Sequence, residues 1–154
     1  MPTVYIMIGL PGVGKSTWID KHCRNNKNFA IVSTDDLITE LGLLYGMTYN
    51  EMYDDISYSF AEKMMYKIAK NMISKGKDIY WDQTNLTVKT RKRKLSLFPK
   101  EYEKVFVVFN IPDDHEKRLD RPGKNIPKNV IESMKSKYQE PIEKEGYDQL
   151  ITVN

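Results

Sequence analysis

The chain has 154 residues, of which 40% are hydrophobic and 29% charged, a composition typical of one folded globular domain rather than a disordered segment. Its apolar runs are too short to span a bilayer, and its single cysteine, Cys23, excludes an intrachain disulfide and a cysteine-based zinc site. The formal charge of +3 is mild, so it permits a polyanionic partner without requiring one. We therefore expect a single domain over residues 1–154 in a reducing cytoplasm, without membrane association and without an obligate protein partner.

In the first half of the chain, apolar strands precede helical segments. Val4 to Ile8 is a short, β-branched run typical of a buried strand, and Ser16 to Arg24 is predicted to be a helix. A second apolar run, Phe29 to Val32, predicts another strand. Apolar residues at i+4 spacing then predict one long helix from Asn50 to Lys75, which Gly76 ends as a C′ residue.

The second half of the chain continues this alternation. Ile79 to Trp81 is the third predicted strand, and Val88 to Phe98 is the helix after it. The unbroken apolar run from Val105 to Phe109 suits a strand buried on both faces, Lys128 to Gln139 is helical, and Leu150 to Val153 is a last strand at the edge of the sheet. Alternating strands and helices imply right-handed βαβ units, so we predict an α/β fold with a central parallel sheet of about five strands flanked by helices.

A phosphate-binding loop lies between the first strand and the first helix. Residues 9–16, GLPGVGKS, match the G-x-x-x-x-G-K-[ST] motif at every fixed position. Gly12 and Gly14 allow backbone N–H groups to surround a phosphate, and the following helix adds the partial positive charge of its N-terminus. Lys15 would reach the β- and γ-phosphates of ATP, and the Ser16 hydroxyl would ligate magnesium. The residues expected to bind ATP are Gly9, Pro11, Gly12, Val13, Gly14, Lys15, Ser16 and Thr17.

Two carboxylates follow predicted strands and therefore point to one crevice at the carboxyl edge of the sheet. Asp35 is suited to accept the proton of an attacking hydroxyl, although Asp35 or Asp36 would equally serve as the N-cap of a helix beginning near Leu37. Both roles hold together if Asp36 caps the helix and Asp35 is the base. Asp36 is also a candidate contact for the acceptor, and Asp82 would orient Ser16 or a magnesium-bound water.

Cations after the fourth strand predict a lid over the triphosphate. The segment from Arg118 to Pro127 contains two arginines, Arg118 and Arg121, among proline, glycine and asparagine residues that favour a loop. Guanidinium groups on such a loop can close over the triphosphate and neutralise charge in the transition state. We therefore count both arginines among the candidate catalytic residues.

The segment from Lys89 to Lys94, KTRKRK, is the densest basic cluster in the chain. It is either a solvated helix face or a surface that holds a nucleic-acid backbone through phosphate contacts. In the second case Arg91 and Arg93 contact the acceptor. Thr84 and Asn85, after the third strand, either bond to local backbone or line the acceptor site.

Four motifs in order, GLPGVGKST, TDD, DQTN and KRLDRPGKNIP, resemble the kinase domain of the phage polynucleotide 5′-hydroxyl kinase and related AAA-type P-loop kinases. The resemblance runs from Val4 to Tyr138, and the DQTNLTVKTRKRKLSLF segment is also similar to the kinase-like domain of heterogeneous nuclear ribonucleoprotein U. It implies a P-loop kinase that uses ATP and Mg²⁺ in a phage-infected or bacterial cytoplasm. It also implies single-stranded or end-exposed nucleic acid as a partner.

The resemblance assigns further roles to individual residues. It implies the same phosphate and magnesium contacts as the loop motif, with Asp35 as the base toward a 5′-hydroxyl and Asp82 as the acid that supports the metal site. It implies that Arg121 is the lid arginine on the transferring phosphate, with Arg118 nearby. The lid is one residue shorter here than in the family, so either arginine can fill this role.

Two positions depart from the family pattern. The family has an arginine three residues after the base that grips the acceptor's phosphate; this chain has Ile38 there, and Thr34 replaces the arginine before the base. These changes leave the ATP half of the site intact and weaken the inference to a polynucleotide acceptor. Three functions stay open. The first is a kinase for the 5′-hydroxyl of a polynucleotide or nucleotide, the second a kinase for a small metabolite or a hydroxymethylated base in DNA, and the third a non-catalytic ATP-binding module that contacts RNA or protein.

Overall fold

Five parallel strands form one sheet in the computed structural model, which describes residues 1–120 and 125–154. In chain order the strands are β1 (Thr3–Ile8), β2 (Phe29–Val32), β3 (Asp78–Trp81), β4 (Glu103–Phe109) and β5 (Gln149–Val153). They lie in the order β2-β3-β1-β4-β5, and every neighbouring pair is parallel. The predicted parallel sheet flanked by helices is thus confirmed, with β5 at one edge.

Helices connect the strands and cover both faces of the sheet. In chain order they are α1 (Lys15–His22), α2 (Thr34–Tyr45), α3 (Tyr49–Asp55), α4 (Tyr58–Ser74), α5 (Val88–Leu95), α6 (His115–Leu119) and α7 (Lys128–Lys137), with a 3₁₀ turn over Glu143–Glu145. In the described part of the chain, no helix combines the length and the apolar character that a membrane crossing requires.

The side chains of β1 alternate between two cores, one on each face of the sheet. Val4, Ile6 and Ile8 pack into a core that includes buried residues of α4 and α5. Met7 packs into the second core together with Ile19 of α1. Because β1 is buried on both faces, the loop that follows it is held firmly at the centre of the carboxyl edge of the sheet.

The helix predicted over 50–75 is in fact two helices. α3 and α4 are separated by Ile56 and Ser57, whose backbones are extended. Ile56 packs with Ile38 in a third core cluster, so its apolar character reflects tertiary packing rather than helical continuity. Apolar spacing alone does not reveal this break, because the same residues are buried in either arrangement.

α2 begins three residues earlier than the sequence predicted. Its first residue is Thr34, and the N-cap is Ser33, whose Oγ accepts a hydrogen bond from the Asp36 backbone N–H at 3.2 Å. Asp36 is therefore not the cap, and the helix does not begin near Leu37. Asp35 and Asp36 both lie in the first turn, where the helix dipole favours negative charge.

α2 and α3 form a tight helical hairpin beside the carboxyl edge of the sheet. A Cβ atom on Gly42 would lie 2.7 Å from the carbonyl oxygen of Met47, so only glycine permits this approach. α3 begins with a capping box, in which Thr48 Oγ1 accepts from the Glu51 N–H at 3.2 Å and Glu51 Oε1 accepts from the Thr48 N–H at 3.1 Å. The start of α3 is thereby fixed relative to α2.

Candidate active site

A cavity of about 290 Å³ opens at the carboxyl edge of the sheet, where open α/β folds bind their ligands. Its walls come from the phosphate loop, the first turn of α2 and the segment after β3. The sequence-predicted residues that line it are Pro11, Gly12, Gly14, Lys15, Ser16, Thr17, Asp35, Asp36, Asp82 and Thr84. The fold therefore brings the donor-side residues and both candidate carboxylates to one place.

Glycine is required at two positions of the phosphate loop. Gly12 has a φ of 78° and Gly14 a φ of 104°, a backbone region that other residues rarely adopt. Gly9 and Val13 are buried beneath the loop, and a Cβ atom on Gly9 would lie only 2.9 Å from Val13 Cγ2. These two residues shape the loop from below rather than lining the cavity.

Lys15 begins α1, and its ammonium group folds back over the loop. Nζ donates hydrogen bonds to the carbonyl oxygens of Gly9 and Leu10 at 2.8 and 2.9 Å. Because Lys15 also lines the cavity, a phosphate entering the loop would meet this positive charge together with the backbone N–H groups.

The hydroxyl of Ser16 and the carboxylate of Asp82 lie together next to the loop and are joined by a hydrogen bond. Ser16 Oγ donates to Asp82 Oδ2 at 2.8 Å, and the Asp82 backbone N–H donates to the Val32 carbonyl oxygen at 2.8 Å. A hydroxyl and a carboxylate are ligands that Mg²⁺ prefers, and this ion usually takes one or two protein oxygens with phosphates and waters. Among residues 1–120 and 125–154, no group of three or more His, Cys, Asp or Glu side chains is placed to hold a metal ion.

Asp35 is held by a tyrosine from the neighbouring helix. The Tyr49 hydroxyl donates to Asp35 Oδ1 at 2.7 Å, which joins α3 to the first turn of α2. Burial, and next the charge of Asp35, raise the pKa of Tyr49, so the phenol keeps its proton and remains a donor. Tyr49 lies outside every motif, so only the three-dimensional structure reveals its contact with Asp35.

The loop after β3 is fixed from below by Lys94. Its ammonium donates to Gln83 Oε1 at 2.6 Å and to Asn85 Oδ1, while burial lowers the pKa of Lys94 to about 7. Asn85 is 2% exposed, has a φ of 49° and donates to the Met7 carbonyl oxygen at 2.6 Å. Asn85 Nδ2 also donates to the Gln83 carbonyl oxygen at 3.2 Å. Asn85 therefore bonds to the backbone of β1 and of its own loop, in correction of its expected contact with the acceptor, whereas Thr84 lines the cavity.

Arg91 is a buried structural residue rather than a surface cation. Its Nε and Nη2 donate to the two carboxylate oxygens of Glu145 at 2.7 and 3.1 Å, and both side chains are 0% exposed. Nη1 donates to the Asn85 carbonyl oxygen and Nη2 to the Gln139 carbonyl oxygen, each at 2.9 Å. This geometry corrects the expectation that Arg91 contacts an acceptor.

The basic cluster of α5 is divided between interior and surface. Lys94, like Arg91, faces inward, whereas Lys89, Lys92 and Arg93 are exposed. The Arg93 guanidinium lies 4.8 Å from the centre of the Tyr66 ring, outside the lining of the cavity. A contact between Arg93 and an acceptor stays a prediction.

α6 brings Arg118 to the mouth of the phosphate loop. A Cβ atom on Gly14 would lie 3.9 Å from Arg118 Nη1, so the guanidinium lies over the loop. His115 pairs through Nε2 with the Pro11 carbonyl oxygen at 2.7 Å and ties α6 to the loop. Arg121 lies outside the described residues, so the arginine lid stays a prediction.

Comparison with protein families places most of the chain in one group. The model of a family described as an AAA domain matches residues 4–141. The chain is 26% identical, over 147 residues, to heterogeneous nuclear ribonucleoprotein U-like protein 2 of mouse and to the same protein of human. Each alignment covers 90% of this chain. The alignment covers 20% of those proteins, so the chain spans about a fifth of the length of these curated relatives.

Solved structures with the same fold are P-loop kinases and related proteins. A chain of the Pnkp1/Rnl/Hen1 RNA repair complex aligns with a TM-score of 0.66 at 24% identity, over 88% of this chain and 43% of that one. A putative kinase from Chloroflexus aurantiacus gives a TM-score of 0.66 at 17% identity, with coverages of 99% and 84%. A gluconokinase from Sinorhizobium meliloti gives a TM-score of 0.61 at 15% identity, over 99% of this chain and 82% of that one. These likenesses show the P-loop kinase fold.

Proposed function

Because the chain belongs to the AAA domain family and has the P-loop kinase fold, we propose that it transfers the γ-phosphate of Mg-ATP to the 5′-hydroxyl of a polynucleotide or nucleotide. One observation carries this proposal. A single cavity is lined by the phosphate-loop lysine, the acidic partner of the loop serine and a second carboxylate, Asp35. A module that only binds ATP has no need of that second carboxylate. The cytoplasm, where ATP and magnesium are plentiful, is the proposed setting.

On the donor side, Lys15 and the backbone N–H groups of the loop would bind the β- and γ-phosphates. Ser16 would ligate magnesium directly and Asp82 through water, and the bound ion would neutralise charge on the phosphates. Arg118, which lies over the loop, would add positive charge beside the transferred group, as Arg121 would by family resemblance.

On the acceptor side, Asp35 would accept the proton of the attacking hydroxyl. The hydroxyl oxygen bonds to the γ-phosphorus while the bond from that phosphorus to the ADP oxygen breaks, and the proton ends on Asp35. Tyr49 holds one carboxylate oxygen of Asp35 and so orients the base. Asp36 and Thr84, which line the cavity, and Arg93 on α5 are proposed contacts for the nucleic-acid acceptor.

A second candidate function has its own support. Ile38 is 0% exposed in the core, and Thr34 is 2% exposed, so neither position that carries an arginine in the resembling family offers a cation here. A kinase for a small alcohol, or for a hydroxymethylated base in DNA, needs no such phosphate grip. This candidate predicts transfer that saturates with a small alcohol and is indifferent to a strand end.

The decisive experiment is transfer from γ-labelled ATP, with magnesium, to a 5′-hydroxyl oligonucleotide and to its 5′-phosphorylated twin. We expect label on the 5′-hydroxyl strand only, and the Asp35→Asn variant should lower transfer at least about 100-fold while it retains ATP binding. Asp20→Asn, an exposed carboxylate on α1, is the matched control and should transfer normally. Absence of label from both strands, or undiminished transfer by Asp35→Asn, would contradict the proposal.

A further inference from the structure

Three tyrosine rings, the tyrosine platform (Tyr49, Tyr53 and Tyr58), run along α3 and the start of α4 beside the candidate base. The ring centres of Tyr49 and Tyr53 are 6.0 Å apart with 28° between their planes, and those of Tyr53 and Tyr58 are 6.1 Å apart with 48° between planes. Tyr49 is joined to Asp35 through its hydroxyl. The platform therefore lies beside the candidate base, which its first ring contacts directly.

Hydrogen bonds hold the hydroxyls of Tyr49 and Tyr58, and the rings of Tyr53 and Tyr58 remain accessible. Tyr53 is 44% exposed and Tyr58 is 42% exposed, large fractions for aromatic side chains. The Tyr58 hydroxyl accepts from Gln83 Nε2 at 3.5 Å, and Gln83 is in turn held by Lys94. A surface of aromatic rings fixed in this way loses little conformational entropy when a flat partner packs on it.

The same hairpin offers no cation to the phosphate of an acceptor. Ile38, on α2, packs under α3 and α4 with Met52 and Ala61, so its side chain faces the core and not the cavity. The sequence of α3, YNEMYDD, contains acidic but no basic residues. Beside the cavity, this hairpin and the start of α4 therefore present exposed tyrosine rings and acidic side chains, and no positive charge.

We propose that the tyrosine platform binds the nucleobase adjoining the reacting hydroxyl by stacking, with Tyr53 as its central ring. This inference rests on the proposed kinase function and names how that function would select its acceptor. Stacking suits every base because each has a π-face, so the platform recognises a nucleoside end without reading its sequence. A free nucleotide and the end of a strand share this chemistry.

The test measures KM and kcat with two 5′-hydroxyl oligonucleotides that differ only in whether the first nucleotide carries its base or is abasic. For the Tyr53→Ala variant we expect KM for the natural strand to rise about tenfold, with KM for ATP unchanged. The KM of the variant for the abasic strand should match that of the wild type. Tyr53→Phe, which keeps the ring, should behave as wild type, as should Tyr45→Ala, an exposed tyrosine in the last turn of α2.

A nucleoside 3′-monophosphate, assayed in the same way, separates the two sources of the base. Equal sensitivity of this nucleotide and the strand to Tyr53→Ala assigns the platform to a single nucleotide, and sensitivity of the strand alone assigns it to a strand end. An equal loss on natural and abasic strands, or an unchanged KM in both Tyr53→Ala and Tyr58→Ala, would overturn the proposal.

Binding without turnover keeps this inference distinct from the kinase proposal. Fluorescence anisotropy with the same two oligonucleotides is run on the Asp35→Asn protein and on the Asp35→Asn, Tyr53→Ala double variant. Base-dependent binding that Tyr53→Ala abolishes supports the platform even if the wild type transfers no phosphate. If the wild type transfers phosphate but binds the natural and abasic strands equally well, the platform proposal is wrong and the kinase proposal is unaffected.

Discussion

Lys94 links the pH dependence of stability to the loop that carries Asp82. Burial lowers its pKa to about 7 from an ordinary value of 10.5, so between these values the folded protein has released a proton that the unfolded chain still binds. Lys94 therefore does not reduce the free energy of unfolding above pH 10.5, and it reduces this free energy progressively as the pH falls toward 7. We expect the free energy of unfolding to rise between pH 7 and 9, by at most about 1.4 kcal/mol per pH unit.

Urea unfolding at pH 7, 8 and 9 measures this effect. In Lys94→Met the rise should disappear relative to the wild type, because methionine has no proton to release. Lys92→Met, which removes an exposed lysine from the same helix, should keep the wild-type slope. Parallel curves for the wild type and Lys94→Met would show that Lys94 does not titrate in this range.

At the scale of elements, α5 is joined to the C-terminal segment by one buried ion pair. Arg91 and Glu145 are both 0% exposed in their side chains, and removal of one partner leaves an uncompensated charge in the interior. We expect Arg91→Met to lower the free energy of unfolding by about 3–5 kcal/mol in urea titrations. Replacing Glu145 by leucine as well should recover much of this loss, because no buried charge then remains.

The exposed neighbour Arg93 provides the control for this prediction. Arg93→Met removes an equal charge from the same helix and should change stability by less than about 1 kcal/mol, since its contact with Tyr66 is at the surface. A similar decrease in the free energy of unfolding in Arg91→Met and Arg93→Met would indicate that the charge of the helix, and not the buried pair, determines the effect.

The same elements show what the sequence could and could not predict. The location of the phosphate loop, Asp35 and Asp82 at one cavity was predictable, because each lies within three residues of the end of an apolar strand. The burial of Arg91 and Lys94 was not predictable, because a run of cations such as KTRKRK does not by itself show which of them face the interior. The contact of Tyr49 with Asp35 depends on the hairpin of α2 and α3, which brings together two residues that are 14 positions apart in the chain.

At the scale of the whole molecule, binding of Mg-ATP should raise the thermal stability of the protein. Mg-ATP at about 100 times its Kd stabilises a protein by about 2.7 kcal/mol, which for a domain of this size raises Tm by about 5–10 °C. Thermal unfolding should show this shift, chelation of magnesium should reduce it, and Lys15→Met should remove most of it. Lys21→Met, exposed on the same helix, should retain the shift. An undiminished shift in Lys15→Met would place ATP outside the phosphate loop.

The hairpin of α2 and α3 is one uninterrupted stretch of chain. The candidate base, the tyrosine that anchors it and the whole platform fall within residues 35–58, whereas the groups that face ATP come from the loop after β1, the end of β3 and α6. A single graft of residues 34–58 between relatives would therefore exchange the candidate base and the tyrosine platform together, and would leave the phosphate loop, Thr84 and Arg93 unchanged. If Asp35 and the platform act as proposed, a large part of the acceptor site can change by replacement of one short segment.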